Sequence, residues 1–89
     1  MSIKINKIDD KTFEVTVSSS STTTHVVTIT DETHQKLTDG KINKEELLDF
    51  SFRFLLDREP NTSIMASFEL TVISRYFPEY KNEVGSQLK

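Results

Sequence analysis

The chain has 89 residues, of which 35% are hydrophobic and 28% charged, with a formal net charge of −3. A chain this short makes one domain, 1–89, that buries only about 60–65% of the surface its unfolded form exposes, so its stability margin is thin. It has no cysteine, which excludes disulfide and thiolate chemistry. Its two histidines, His25 and His34, have no ligand-like companions nearby, which argues against a structural zinc site with its four ligands. No apolar run approaches the ~20 residues of a membrane span, and no apolar signal region follows the N-terminus. The expectation is a soluble, cytoplasmic chain with no membrane association.

Charge is even along the sequence. Residues 1–42 carry five Lys and six Asp/Glu, net −1, and residues 43–89 carry six Lys/Arg and eight Asp/Glu, net −2. Without a basic cluster, nucleic acid and anionic membranes are poor partners, because both need a concentrated cationic footprint.

The chain divides near Thr30. Ile3, Ile5 and Ile8 mark a first short strand, and Asp9-Asp10-Lys11 a turn in which an Asp side chain bonds nearby backbone. Phe13, Val15 and Val17 alternate with Glu14 and Thr16, the period of a half-buried strand. Ser18 to Thr24 is an unbroken hydroxyl run. It reads first as a mobile hairpin loop, the alternative being strand ends that continue through the Thr positions. His25 to Thr30 forms a third strand with Val27 and Ile29 inward. The expected fold class is therefore α+β: an N-terminal three-stranded antiparallel meander over about 2–30, then one long and several short helices over about 31–84.

Thr30 or Asp31 caps a short helix to about Leu37 or Thr38, and Asp39-Gly40 ends it. Asn43 caps the main helix, with Glu46 completing a capping box; the helix runs to about Asp57, ahead of Pro60. Around this helix Glu46, Asp49, Arg53 and Asp57 form a stripe about 80° wide. Asp49, Arg53 and Asp57 follow i, i+4 ion-pair spacing. Leu47, Leu48, Phe50, Phe52, Phe54, Leu55 and Leu56 fill nearly all the remaining girth, more than one small meander covers. Self-association or a protein partner is therefore expected, with Phe50 and Leu56, which flank the stripe, as the association surface. Ser51, inside the apolar arc, reads as a hydroxyl bonded to the Leu47 carbonyl. Thr62 or Ser63 caps a short helix through Phe68, Thr71 caps another ending at Phe77, and Pro78 opens a last one through Val84. The tail, 85–89, is expected to fray.

Little in this inventory is catalytic. His25 and His34 read as plain surface histidines, and two glycines cannot build a phosphate-binding loop. No enzyme activity, cofactor, metal or small-molecule ligand is expected. The polar cluster with some promise is Arg58, Glu59 and Asn61, which Arg75 and Glu79 could join. It reads either as a structural lock, with Arg58 on helix carbonyls or on Glu69 or Glu79, or as a polar contact site.

Two resemblances bear on this reading. Ser51-Phe52-Arg53-Phe54-Leu55-Leu56-Asp57-Arg58-Glu59-Pro60-Asn61-Thr62-Ser63-Ile64, with Arg75-Tyr76-Phe77-Pro78-Glu79-Tyr80, resembles a group of short bacterial proteins of unassigned function. That resemblance implies a bacterial source and no activity. The order of strand Val26–Thr30, helix Asp31–Thr38 and helix Asn43–Glu59 resembles the ribbon-helix-helix DNA-binding proteins, in which two chains pair their ribbons in the major groove. Here the ribbon lacks Lys and Arg. The first reading is thus a non-catalytic interaction or regulatory module, and the alternative is a ribbon-helix-helix-like DNA-binding regulator.

Overall fold

The computed structural model describes residues 2–88. Met1 and Lys89, the ends of the expected domain and tail, lie outside the described residues. The class is α+β. Strands β1 (Ser2–Lys7), β2 (Thr12–Ser18), β3 (Thr22–Thr28) and β4 (Ser67–Glu69) form one sheet in the order β1-β2-β3-β4. Helices α1 (Asp31–Thr38), α2 (Lys44–Leu56), α3 (Val72–Tyr76) and α4 (Tyr80–Gln87) complete it, with a 3-10 turn at Asn61–Ser63.

The first three strands are the expected antiparallel meander, in a register that sets Phe13 against Val27 and Val15 against His25. Asp9 builds the first turn, its Oδ1 accepting from the Lys11 and Thr12 amides at 2.9 and 2.8 Å. The Lys11 amide bond foremost holds the Asp9 carboxyl below its ordinary range. Ile8 does not belong to the strand: it stands exposed just past β1. The hydroxyl run is mostly strand, with only Ser19 to Ser21 between β2 and β3. Paired as Ser18 with Thr22, Val17 with Thr23 and Thr16 with Thr24, it places its β-branched residues where strands favour them.

The sheet is mixed and four-stranded rather than a three-stranded meander. β4 lies parallel to β3, with Phe68 beside Val27. It stands where a short helix through Phe68 is expected. The backbone groups that would close those helical turns are committed across the sheet. The Val26 amide donates to the Ala66 carbonyl at 2.8 Å and the Leu70 amide to the Thr28 carbonyl at 3.0 Å. The helical half also differs from one long and several short helices: four helices of 8, 13, 5 and 8 residues follow the meander. The last extends through Gln87, so the expected fraying at 85–87 is replaced by helix.

The starts of α1 and α2 follow their caps, whereas at α3 the expected Thr71 cap is absent and its Oγ1 donates to Glu69 Oε1 at 3.0 Å. Thr30 Oγ1 accepts from the Thr33 amide at 3.1 Å, and Asp39 and Gly40 end α1 with φ of 55° and 75°. At α2, Asn43 Oδ1 accepts from the Glu46 amide at 2.8 Å and Glu46 Oε1 from the Asn43 amide at 3.1 Å, a complete capping box. Lys44 Nζ ties this end down, donating to Asp31 Oδ1 at 2.7 Å and to the Asp10 carbonyl at 2.6 Å.

One sheet face carries the core. Phe13, Val15, Val17 and Val27 are buried there with Leu47, Leu48, Phe52 and Leu55 of α2, and Tyr80 and Val84 of α4. The chain wraps more of α2 than its girth predicts. Phe52 packs between His25 and Phe68, with ring centroids at 5.4 and 6.2 Å, while Phe77 and Tyr80 stand edge-on to Phe54 at 5.8 and 5.2 Å. Phe50 and Leu56 remain only half-buried.

Candidate protein-interaction surface

The predicted polar cluster separates. Arg58 and Glu79 meet: Nε donates to Glu79 Oε2 at 3.3 Å and Nη1 to the Phe54 carbonyl at 3.0 Å. The guanidinium lies 3.6 Å over the centre of the Phe54 ring. Arg58 therefore closes the C-terminal end of α2 and fastens it to the start of α4, through a terminal carbonyl, a carboxylate and a ring face at once. Arg75 is exposed on α3 and makes no ion pair among the described residues. Glu59 is half-buried at an apolar recess of about 330 Å³ shared with Leu55, Met65 and Tyr76.

Asn61 points inward and is only 5% exposed. This corrects its placement among surface contact residues. Its Nδ2 donates to the Ser21 carbonyl at 2.9 Å and to Thr23 Oγ1 at 3.0 Å, with the Val17 carbonyl further off at 3.4 Å. Thr23 Oγ1 in turn meets His25 Nε2 at 2.8 Å, and His25 Nδ1 meets the Met65 carbonyl at 2.7 Å. A carbonyl only accepts, so Nδ1 carries the proton, and in neutral His25 Nε2 accepts from Thr23.

His25 is thus no surface histidine: it is 1% exposed, with Nδ1 tying β3 to the segment ahead of β4 and Nε2 bonded within β3 to Thr23. His34 is half-buried, with Nε2 donating to the Ile42 carbonyl at 2.6 Å. Asn61→Ala is expected to cost about 1–2 kcal/mol, because partly buried acceptors lose their donor. Urea unfolding measures that cost. Amide exchange at Ser21 to Thr24 should quicken more than in β1, and an even change across the sheet would contradict the lock.

An open groove of about 840 Å³ lies between α2 and α4. Ile42, Phe50, Phe54 and Leu88 give it an apolar floor, and Glu45, Glu46, Asp49, Asp57 and Glu83 its carboxylates. Arg53 and Arg58 also line it, but Arg53 Nε is held by Asp49 Oδ2 at 2.9 Å and Arg58 by Glu79. Five carboxylates against two guanidiniums give the groove a formal charge of −3, equal to the whole chain's −3. Charge spread evenly along the sequence is thus gathered by the fold on one face. Glu45, Asp57 and Glu83 make no ion pair among the described residues. The predicted Arg53–Asp57 pair does not form; Arg53 takes Asp49 alone.

Phe50 lies in this groove and Leu56 does not. Six residues at 100° each set them about 120° apart around the helix, on opposite sides of the charged stripe. The two residues expected to share one association surface therefore face different surroundings. Sequence reasoning missed the groove because it ended the last helix at Val84. The i, i+4 spacing of Val84 and Leu88 was the available signal, and the added turn brings Gln87 and Leu88 to the groove.

Among the described residues no group of three or more His, Asp or Glu side chains is placed to hold a metal ion, and no helix is long and apolar enough to cross a membrane. Compared with protein families, curated proteins and solved structures, the chain matches none.

Proposed function

We propose that this protein is a non-catalytic interaction module whose working face is the α2–α4 groove. The observation that carries the reading is Phe50: a large aromatic only partly buried on the floor of the α2–α4 groove, inside a rim whose formal charge equals the chain's −3. An aromatic anchor ringed by polar groups is the usual make-up of a binding hot spot. The histidines favour this reading: both ring nitrogens of His25 are engaged, by a backbone carbonyl and a partly buried threonine, and Nε2 of His34 is held on the Ile42 carbonyl.

A protein of different sequence suits this face better than a second copy. Two copies meeting groove to groove would oppose −3 with −3, and like charge across an interface is costly. The DNA-binding alternative has less in its favour. β3 contains the candidate ribbon residues Val26 to Thr28 and pairs with β2 on one side and β4 on the other, leaving no edge for a second ribbon. The groove's acids repel a phosphate backbone.

The test is a photo-crosslinking residue placed at position 50 of the full chain in its source cell, with one at Glu14, outside the groove, as control. A discrete protein adduct from position 50 and none from position 14 is the expected result. No adduct at position 50, or the same adducts from both, would end this reading.

A further inference from the structure

We infer that the α2–α4 groove receives a basic amphipathic helix of a partner protein; this rests on the interaction reading above and names the partner's chemistry. Three features of the groove point the same way. Its walls are helices whose backbone groups are spent on their own turns, so it offers no strand edge to an extended peptide. Recognition must therefore come from side chains, and a helix laying down an apolar stripe is the ligand that uses them. The partly buried Ile42, Phe50 and Leu88 on its floor accept that stripe, Phe54 being buried with Arg58 over its ring.

Charge is the second feature. Glu45 and Asp57 lie near opposite ends of α2 and Glu83 faces them from α4, all three without an ion pair among the described residues. Lysines or arginines flanking the partner's apolar stripe would meet these carboxylates from both sides. An acidic or neutral amphipathic helix would leave them opposed or unanswered.

The third feature is length. The thirteen residues of α2 span about 20 Å and the eight of α4 about 12 Å. The channel between them matches two to three turns of helix, enough for anchors at i, i+3 or i+4, and i+7.

The experiment uses the full chain and synthetic Leu/Lys amphipathic peptides of about 14 residues, with Leu/Glu and scrambled Leu/Lys versions as controls. Fluorescence anisotropy should give the Leu/Lys helix a Kd of about 10–100 μM that weakens markedly as salt rises from about 20 to about 300 mM. The E45K/D57K/E83K variant should weaken binding about tenfold or more. D10K/E32K/E69K carries the same change of charge outside the groove and should bind nearly as the parent does. Circular dichroism checks that both variants fold. Equal loss in the two variants, equal binding of the scrambled peptide, or no binding up to about 1 mM would overturn the inference. If the adduct at position 50 still forms while the Leu/Lys helix fails, the interaction reading stands and the basic-helix partner does not.

Discussion

Phe52→Ala is expected to cost about 3–5 kcal/mol, the usual toll for deleting a fully buried phenyl ring. A domain of this length has about 5–13 kcal/mol in total, so much of its stability depends on this one side chain. Phe52 is 0% exposed and its ring lies between His25 of β3 and Phe68 of β4, at 5.4 and 6.2 Å. It is therefore the contact through which α2 holds the parallel strand onto the meander. Removing it opens a cavity beside His25, whose bonds to Thr23 and Met65 fix the same junction. Urea unfolding should show a midpoint lowered by about 2–3 M with little change in slope. Phe50→Ala is the comparison. Phe50 is half-buried, so its loss should cost about 1–1.5 kcal/mol, in proportion to the apolar area it shields. Equal costs at the two positions would mean that Phe50 belongs to the core, and the groove would lose its anchor.

The contrast between these two phenylalanines shows what the sequence carried. Periodicity identified α2, its capping box and its charged stripe, because those depend on neighbours within a turn. It showed that Phe50 and Leu56 flank the stripe. It could not show which of the other aromatics the chain would cover, because that depends on segments 10 to 40 residues away. β4 is the clearest case. Phe68 and Leu70 alternate with Ser67 and Glu69, a strand signal too short to outweigh the Thr62 and Ser63 caps that point to a helix. Parallel pairing across a long crossover settles the matter, and no local pattern encodes it. Asn61 failed for a related reason. Beside Pro60 it reads as a turn residue, and only the fold brings the Ser21 carbonyl and Thr23 hydroxyl to its amide. The groove is longer-range still, since it needs the last turn of α4 to lie along α2.

The same packing makes stability fall at alkaline pH. Tyr80 is fully buried, and burial pushes its phenol from 10.0 up to about 12, against a smaller opposing effect of its bond to Ser51. The bond geometry explains why the proton is kept. Ser51 Oγ donates to the Leu47 carbonyl at 2.6 Å, as its place in the helix predicts, so its 2.5 Å contact with Tyr80 has the phenol as donor. A phenolate would lose that role and carry a buried charge.

The sign follows from the raised folded value. Below pH 10 both states hold the proton and the contribution is fully present. Between about 10 and 12 the unfolded chain releases the proton while the native chain retains it, so stability is lost as pH rises through that window. Two pH units correspond to a loss on the order of 2–3 kcal/mol. Tyr80→Phe leaves Ser51 bonded to Leu47 and costs about 1 kcal/mol near neutrality, but removes the titrating group. The two stability curves should therefore cross, with the phenylalanine variant the more stable by pH 12. Urea unfolding at steps of pH measures the crossing, and tyrosinate absorbance in a Tyr76→Phe background follows Tyr80 alone. Parallel curves for parent and variant over this range would show that the Tyr80 proton is not held by the core.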